Sequence, residues 1–194
     1  MRVAIGLKAR TGRAIVVAVG GRLPECVLVE RSGMPLLPTG AFAPYHAAAE
    51  LESAAADESV RRSIAAAHAL AAKGIGAVVE RLFRDGHDVA ACGVLEGARL
   101  PAWSTEEILA VHVRMHAAEG ALFREVLASG ARACDLRVTA VPDKAALDGA
   151  AAAIGCDRRT LDACVAALGR SAGAPWGRDQ KEAAAAALAA LAMP

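Results

Sequence analysis

Histidine and carboxylate recur at helical spacing in the stretch His112-Val113-Arg114-Met115-His116-Ala117-Ala118-Glu119. Positions i, i+4 and i+7 of a helix share one face, so His112, His116 and Glu119 would point the same way. Two imidazoles and a carboxylate suit Zn, Mn or Fe, and His116 with Glu119 form the candidate metal pair. The stretch is not an H-E-x-x-H motif. Three ligands on successive turns of one straight helix spread over about 10 Å, so His116 with Glu119, or His112 with His116, would share an ion only with help from another element. The plain alternative is that His116 and Glu119 hydrogen-bond each other beneath a neighbouring helix, with Arg124 pairing with Glu119 or Glu125.

A second set is scattered along the chain and meets only through topology. Lys8, Arg10, Thr11 and Arg13 surround the first turn, Glu30 and Glu96 close later strand-like runs, His46 and Glu50 stand at the start of a long helical stretch, and Asp143 follows the last strand-like run. If the strands order as argued below, these residues share the carboxyl edge of a sheet, where open α/β sheets bind ligands. Arg10 and Arg13 would clamp an anion with Lys8 as its floor, and Thr11 and Glu96 would complete the binding site. His46 is the candidate proton donor or acceptor, since its ordinary pKa suits that work near neutral pH. A free helix N-terminus at Tyr45-His46 favours the same anion. The alternative is a Lys8–Glu96 ion pair with solvated arginines. A two-metal site would draw on Glu30, Glu50, Glu96 and Asp143, but a cation at Lys8 opposes it.

The elements that must position these groups are legible from pattern. Residues 2–9 alternate apolar and small or polar side chains, a half-buried strand. Residues 14–19 are apolar throughout, as in a covered central strand, and Cys26 to Glu30 form a third. Turns at Gly12 and Gly20-Gly21 make these an antiparallel meander. Residues 32–44, rich in Gly and Pro, read as a loop. A helix is expected from Tyr45 to about Phe83, bent or split near Gly74 and Gly76. A fourth strand spans Val89 to Leu95. The capping box Ser104-Thr105-Glu106-Glu107 starts a helix expected to run to Ser129 and stop at Gly130. A fifth strand spans Leu136 to Val141. Helices follow at 143–153, 157–169 and 178–192. Helical crossovers make strands 1, 4 and 5 parallel, giving a five-stranded mixed sheet ordered 3-2-1-4-5. Residues 1–142 form the α/β domain, and 143–194 a helical extension packed on it.

This element order resembles the ribonuclease H-like fold of nucleases, resolvases and sugar-kinase-type ATPases. That resemblance implies an Asp on the first strand, where this chain has Lys8, so it implies a scaffold whose usual chemistry has been removed. Leu7 to Gly12, Ala43 to Ala48, and His116 to Arg124 together resemble a set of uncharacterised bacterial proteins of unassigned activity. The resemblance implies that Lys8, Arg10, Gly12, His46, His116, Glu119 and Arg124 belong to one shared pattern.

Composition narrows the function. With 22 basic and 21 acidic residues the net charge is +1, so no global field draws the chain to nucleic acid or lipid. Aromatics at 3% do not supply a base-stacking platform. Five cysteines without a C-x-x-C pair predict no disulfide framework and a reducing, cytoplasmic setting. No signal peptide pattern opens the sequence, and the Ala-rich stretch 183–192 is too short to span a bilayer. Three functions are expected. The first is binding of a phosphorylated small molecule or nucleic-acid backbone on a degenerate ribonuclease H-like scaffold. The second is a non-catalytic homodimer joined through an Ala-rich helix face. The third is a metal-dependent hydrolase or nuclease, with a divalent metal as cofactor.

Overall fold

Val3, Ile5 and Leu7 point to one side of the first strand and Ala4 and Gly6 to the other, and this difference in size organises the molecule. The computed structural model describes residues 1–193. Strand β1 (Arg2–Arg10) pairs antiparallel with β2 (Arg13–Arg22), which pairs antiparallel with β3 (Glu25–Pro35). On its other side β1 pairs parallel with β4 (Asp88–Glu96), and β4 with β5 (Arg137–Pro142). The order β3-β2-β1-β4-β5 and every strand direction are those expected from the sequence.

The large side chains face a layer made by α2 (Ser53–Arg84) and α4 (His112–Ala133). Val3, Ile5, Leu7, Val16, Cys92 and Val94 pack there with Ile75, Leu82, Phe123 and Leu127. Helix α2 has the length and apolar composition of a membrane span. Its Val60-Ala67-Ala71-Ile75-Val78-Leu82 stripe is buried in the protein, while Glu58, Arg61, Arg62, Lys73 and Glu80 stay exposed. That is the pattern of an amphipathic core helix.

The opposite face carries α5 (Ala146–Ile154), α6 (Arg158–Ala172) and α7 (Arg178–Ala192). Helix α7 lies directly on β1, β2 and β4, with every residue from Glu182 to Ala190 buried. A Cβ on Gly6 would overlap the Ala183 carbonyl, and one on Gly93 the Ala186 carbonyl. Glycine on the strands and alanine around the helix therefore let two backbones approach where larger side chains would hold them apart. The alanine of this segment is a packing requirement as well as a helical propensity.

Four departures from the expected elements matter for the site. Strand β3 runs on to Pro35, so Glu30 sits mid-strand opposite Ala18 rather than at a strand end. Its carboxylate accepts from Arg81 Nε (2.9 Å) and Ser32 Oγ (2.6 Å). Burial alone would raise its pKa, but these bonds outweigh that and hold it below the ordinary carboxylate value. The first helix breaks not at Gly74 or Gly76 but at residues 49–52, leaving a short α1 (Pro44–Ala48). Gly74 is a packing site: a Cβ there would lie 2.7 Å from the Met34 sulfur. The capping box forms as expected, with Glu107 N donating to Ser104 Oγ and Ser104 N to Glu107 Oε2, but it starts only α3 (Thr105–Leu109). Finally, α4 passes through Gly130, which packs against the Ala71–Ala72 backbone, and the chain turns at Asp135 with φ 57°.

At one pair the cysteines depart from expectation. Cys26 on β3 and Cys164 on α6 form a disulfide, their Cα atoms 6.4 Å apart and their positions 138 residues apart in sequence. A pairing across that separation leaves no local spacing signal. Cys92, Cys134 and Cys156 are free, and burial pushes the Cys92 thiol far up, out of reactive range.

Candidate functional site

Lys8 stands one residue beyond the last β1–β4 pair, Leu7 with Val94, at the carboxyl edge of the sheet. Its ammonium meets two carboxylates. One is Asp143 Oδ1, in the 3-10 turn that follows β5, and the other is Glu182 Oε2 on α7 at 2.9 Å. The Glu182 approach is ionic and lies outside hydrogen-bond geometry. Lys8 is 12% exposed and Glu182 only 5%, so this is a part-buried charge cluster. Arg178 Nε bonds Glu182 Oε1 at 2.6 Å, and Arg124 Nη1 stands 3.9 Å from Asp143 Oδ2. Arg10 grips Asp179 with two bonds, Nε to Oδ2 at 2.8 Å and Nη2 to Oδ1 at 2.7 Å. The Lys8–Glu96 pair offered as the alternative does not form; Glu96 makes no ion pair among the described residues.

The arrangement places an ammonium between two carboxylates. Of the four acids considered for a two-metal site, only Asp143 reaches Lys8. Glu30 is committed to Arg81, and Glu50 is exposed on the segment after α1. Glu182, which completes the cluster, was not anticipated from sequence. Its only local signal is the i, i+4 spacing from Arg178 at the start of an otherwise alanine helix. Thr11 and Arg13 flank the β1–β2 turn and are exposed.

Beside this edge a cavity of about 350 Å³ opens between the end of β4, α4 and β5. Arg99, Arg124 and Arg132 line it, together with Glu96 and Glu125. Two glycines make room for Arg124: a Cβ on Gly97 would stand 2.6 Å from its Cζ, and one on Gly120 3.4 Å from its Nη1. Arg99 and Arg132 were missed in the sequence because nothing local marks an arginine that lines a cavity.

His46 does not lie with Lys8. The break after α1 turns that helix onto the beginning of α4, and His46 joins His112, His116 and Glu119 instead. Glu119, 3% exposed, is the anchor. Its Oε1 accepts from the backbone N–H groups of Tyr45 and His46, both at 3.1 Å, and so caps the N-terminus of α1. The same oxygen lies 2.8 Å from His46 Nδ1; a carboxylate can only accept, so the ring donates. Burial, and secondly the Glu119 charge, push the Tyr45 hydroxyl pKa up. Glu119 thus pairs with His46 rather than with His116. His116 Nε2 meets His112 Nε2 at 3.0 Å, and the His46 ring centroid lies 4.6 Å from that of His116 and 5.2 Å from that of His112. One ring nitrogen from each of the three histidines falls within 4.8 Å of the others. Along α4, Arg124 and His116 are eight residues apart, about 12 Å by helical rise, so the two clusters are neighbours on one helix.

No protein-family model matches the sequence, and no curated protein matches it. Solved structures do match in shape. The T. thermophilus RuvC in complex with Holliday junction substrate aligns with a TM-score of 0.53 at 14% identity, over 97% of this chain and 92% of that one. A second Thermus thermophilus RuvC structure aligns at 0.50 and 15% identity, over 96% and 92%. With the sheet order described above, these matches show a ribonuclease H-like fold.

Proposed function

We propose that this protein binds a nucleic-acid backbone at the carboxyl edge of a ribonuclease H-like sheet without hydrolysing it there. The observation that carries the reading is the Arg99–Arg124–Arg132 cavity beside a carboxylate pair whose cation is Lys8. Guanidinium groups match phosphate oxygens in fork geometry, and three around one cavity suit a phosphodiester. Lys8, with Arg178 on Glu182 and Arg124 near Asp143, offsets the charge of the two carboxylates and so weakens the repulsion they would exert on a phosphate. Its ammonium, set between the two carboxylates, also repels a divalent ion at that place. A solved structure similar in fold to this chain holds a Holliday junction substrate, which favours nucleic acid over a free phosphorylated molecule.

Fluorescence anisotropy tests this with four-way-junction, duplex and single-stranded DNA across a salt series. Binding should weaken as salt rises. Arg99→Ala and Arg132→Ala, both at exposed positions, should each reduce the magnitude of the log–log salt slope by about one. No cleavage should follow in Mg²⁺ or Mn²⁺. Absence of binding at low salt to any of the three would overturn the reading. Binding of a nucleoside phosphate in their place would assign the cavity to a small molecule. Cleavage lost on mutation of Asp143 would overturn the non-hydrolytic part.

A further inference from the structure

The geometry points to a transition-metal site formed by His46, His112 and His116, with Glu119 as the carboxylate behind it. We infer that it takes one zinc-class divalent ion and leaves a coordination position open to solvent. The site is separate from the backbone-binding cavity and does not depend on it.

Four observations carry this. First, three imidazoles from two helices converge, with one nitrogen of each within 4.8 Å of the others. Tetrahedral zinc with bonds of 2.0–2.1 Å needs nitrogen separations of about 3.4 Å, which side-chain rotation at the two exposed histidines can reach. Second, the tautomer of His46 is fixed. Its Nδ1 donates to Glu119, so its Nε2 carries the lone pair. A buried carboxylate holding the far nitrogen of a ligand histidine is the recurring support of zinc sites; it orients the ring and raises its basicity. Third, Glu119 is itself held by two backbone N–H groups of α1, so the ring it orients cannot drift. Fourth, the Nε2 atoms of His112 and His116 meet each other at 3.0 Å at exposed positions, where rotation of either ring turns a lone pair to an ion.

The ligand set also selects the ion. Imidazole suits Zn, Cu, Fe and Ni over Mg or Ca, which take oxygen ligands. His112 and His116 are exposed, so the side opposite Glu119 is open. Three protein ligands with an open fourth position is the pattern of zinc that polarises a bound water or substrate oxygen, in contrast to closed structural sites.

The test uses the full chain without a histidine tag, dialysed against zinc(II) and then assayed for bound metal. Cobalt(II) serves as a spectroscopic substitute. One ion per chain should be retained, and cobalt should give the intense visible bands of four-coordinate nitrogen ligation. His112→Ala and His116→Ala should lose the ion while keeping the wild-type circular dichroism, since both side chains are at the surface. Glu119→Gln should weaken affinity 10–100-fold. His68→Ala, whose ring bonds Ser129 and pairs with Glu125 elsewhere, should retain the ion. If Glu119→Gln does not fold, His46→Ala tests the same support. No retained metal in the wild type, or equal retention in His112→Ala and His116→Ala, would overturn the inference.

Discussion

Two charge clusters lie along α4, and they differ in whether their members have already found partners. In the Lys8 cluster the cations face carboxylates: Lys8 faces Asp143 and Glu182, Arg178 faces Glu182, and Arg10 faces Asp179. Around His46 the carboxylate serves one ring, and three ring nitrogens converge on one another. The Lys8 cluster therefore has the character of a structural element whose charges are paired, and the tip of α4 that of a donor set still available. Likeness of fold alone would direct attention to the edge. The local balance of donors and acceptors directs it to the histidines.

The largest effect that could break this contrast is at Lys8. Lys8→Met leaves Asp143 and the nearly buried Glu182 without their shared cation, and removing one partner of a buried ion pair costs about 3–5 kcal/mol. Urea unfolding measures it; a loss below about 1 kcal/mol would mean that solvent, not Lys8, satisfies those carboxylates. Glu119→Ala comes next. It leaves two backbone N–H groups at the start of α1 and His46 Nδ1 without their acceptor, an expected cost of about 2 kcal/mol. A larger loss there than at Lys8 would reverse the assignment of structural and functional clusters. The smallest effect serves as a baseline outside both clusters. Arg81 holds Glu30 between α2 and β3, and Arg81→Ala should cost about 1 kcal/mol. The sign with pH follows from the depressed Glu30 pKa. The pair's stabilisation is present above the unfolded carboxylate value of about 4.3 and disappears as pH falls through the lower folded value. Acid titration of wild type and Arg81→Ala should converge in that range.

The scaffold was legible because its signals are local and repeated. Alternation at Val3, Ile5 and Leu7, the doubly apolar Ile15–Val19 run, and crossover lengths between strands suffice for the sheet order and directions. Helix ends were less legible because tertiary contacts override propensity. Nothing in Ala47-Ala48-Ala49 predicts a break, yet the chain breaks there and turns α1 toward Glu119. That single break explains why His46 left its expected place beside Lys8. The i, i+4, i+7 spacing identified the correct helix face, but not that Glu119 would reach a residue 73 positions away. Glu182 and Arg99 were out of reach for the same reason: each acquires a role only when distant elements close around it.

The alanine helix on Gly6 and Gly93 has a consequence for how the molecule is made. Until residues 183–190 have left the ribosome, Val17, Val19 and Leu95 on that side of the sheet lack the helix that covers them. A nascent chain that has already assembled its first helical layer would present this apolar surface to the cell. Because the strand glycines leave room there only for a closely approaching backbone, a segment with larger side chains could not occupy it, and the wait would end when the small side chains of α7 arrive.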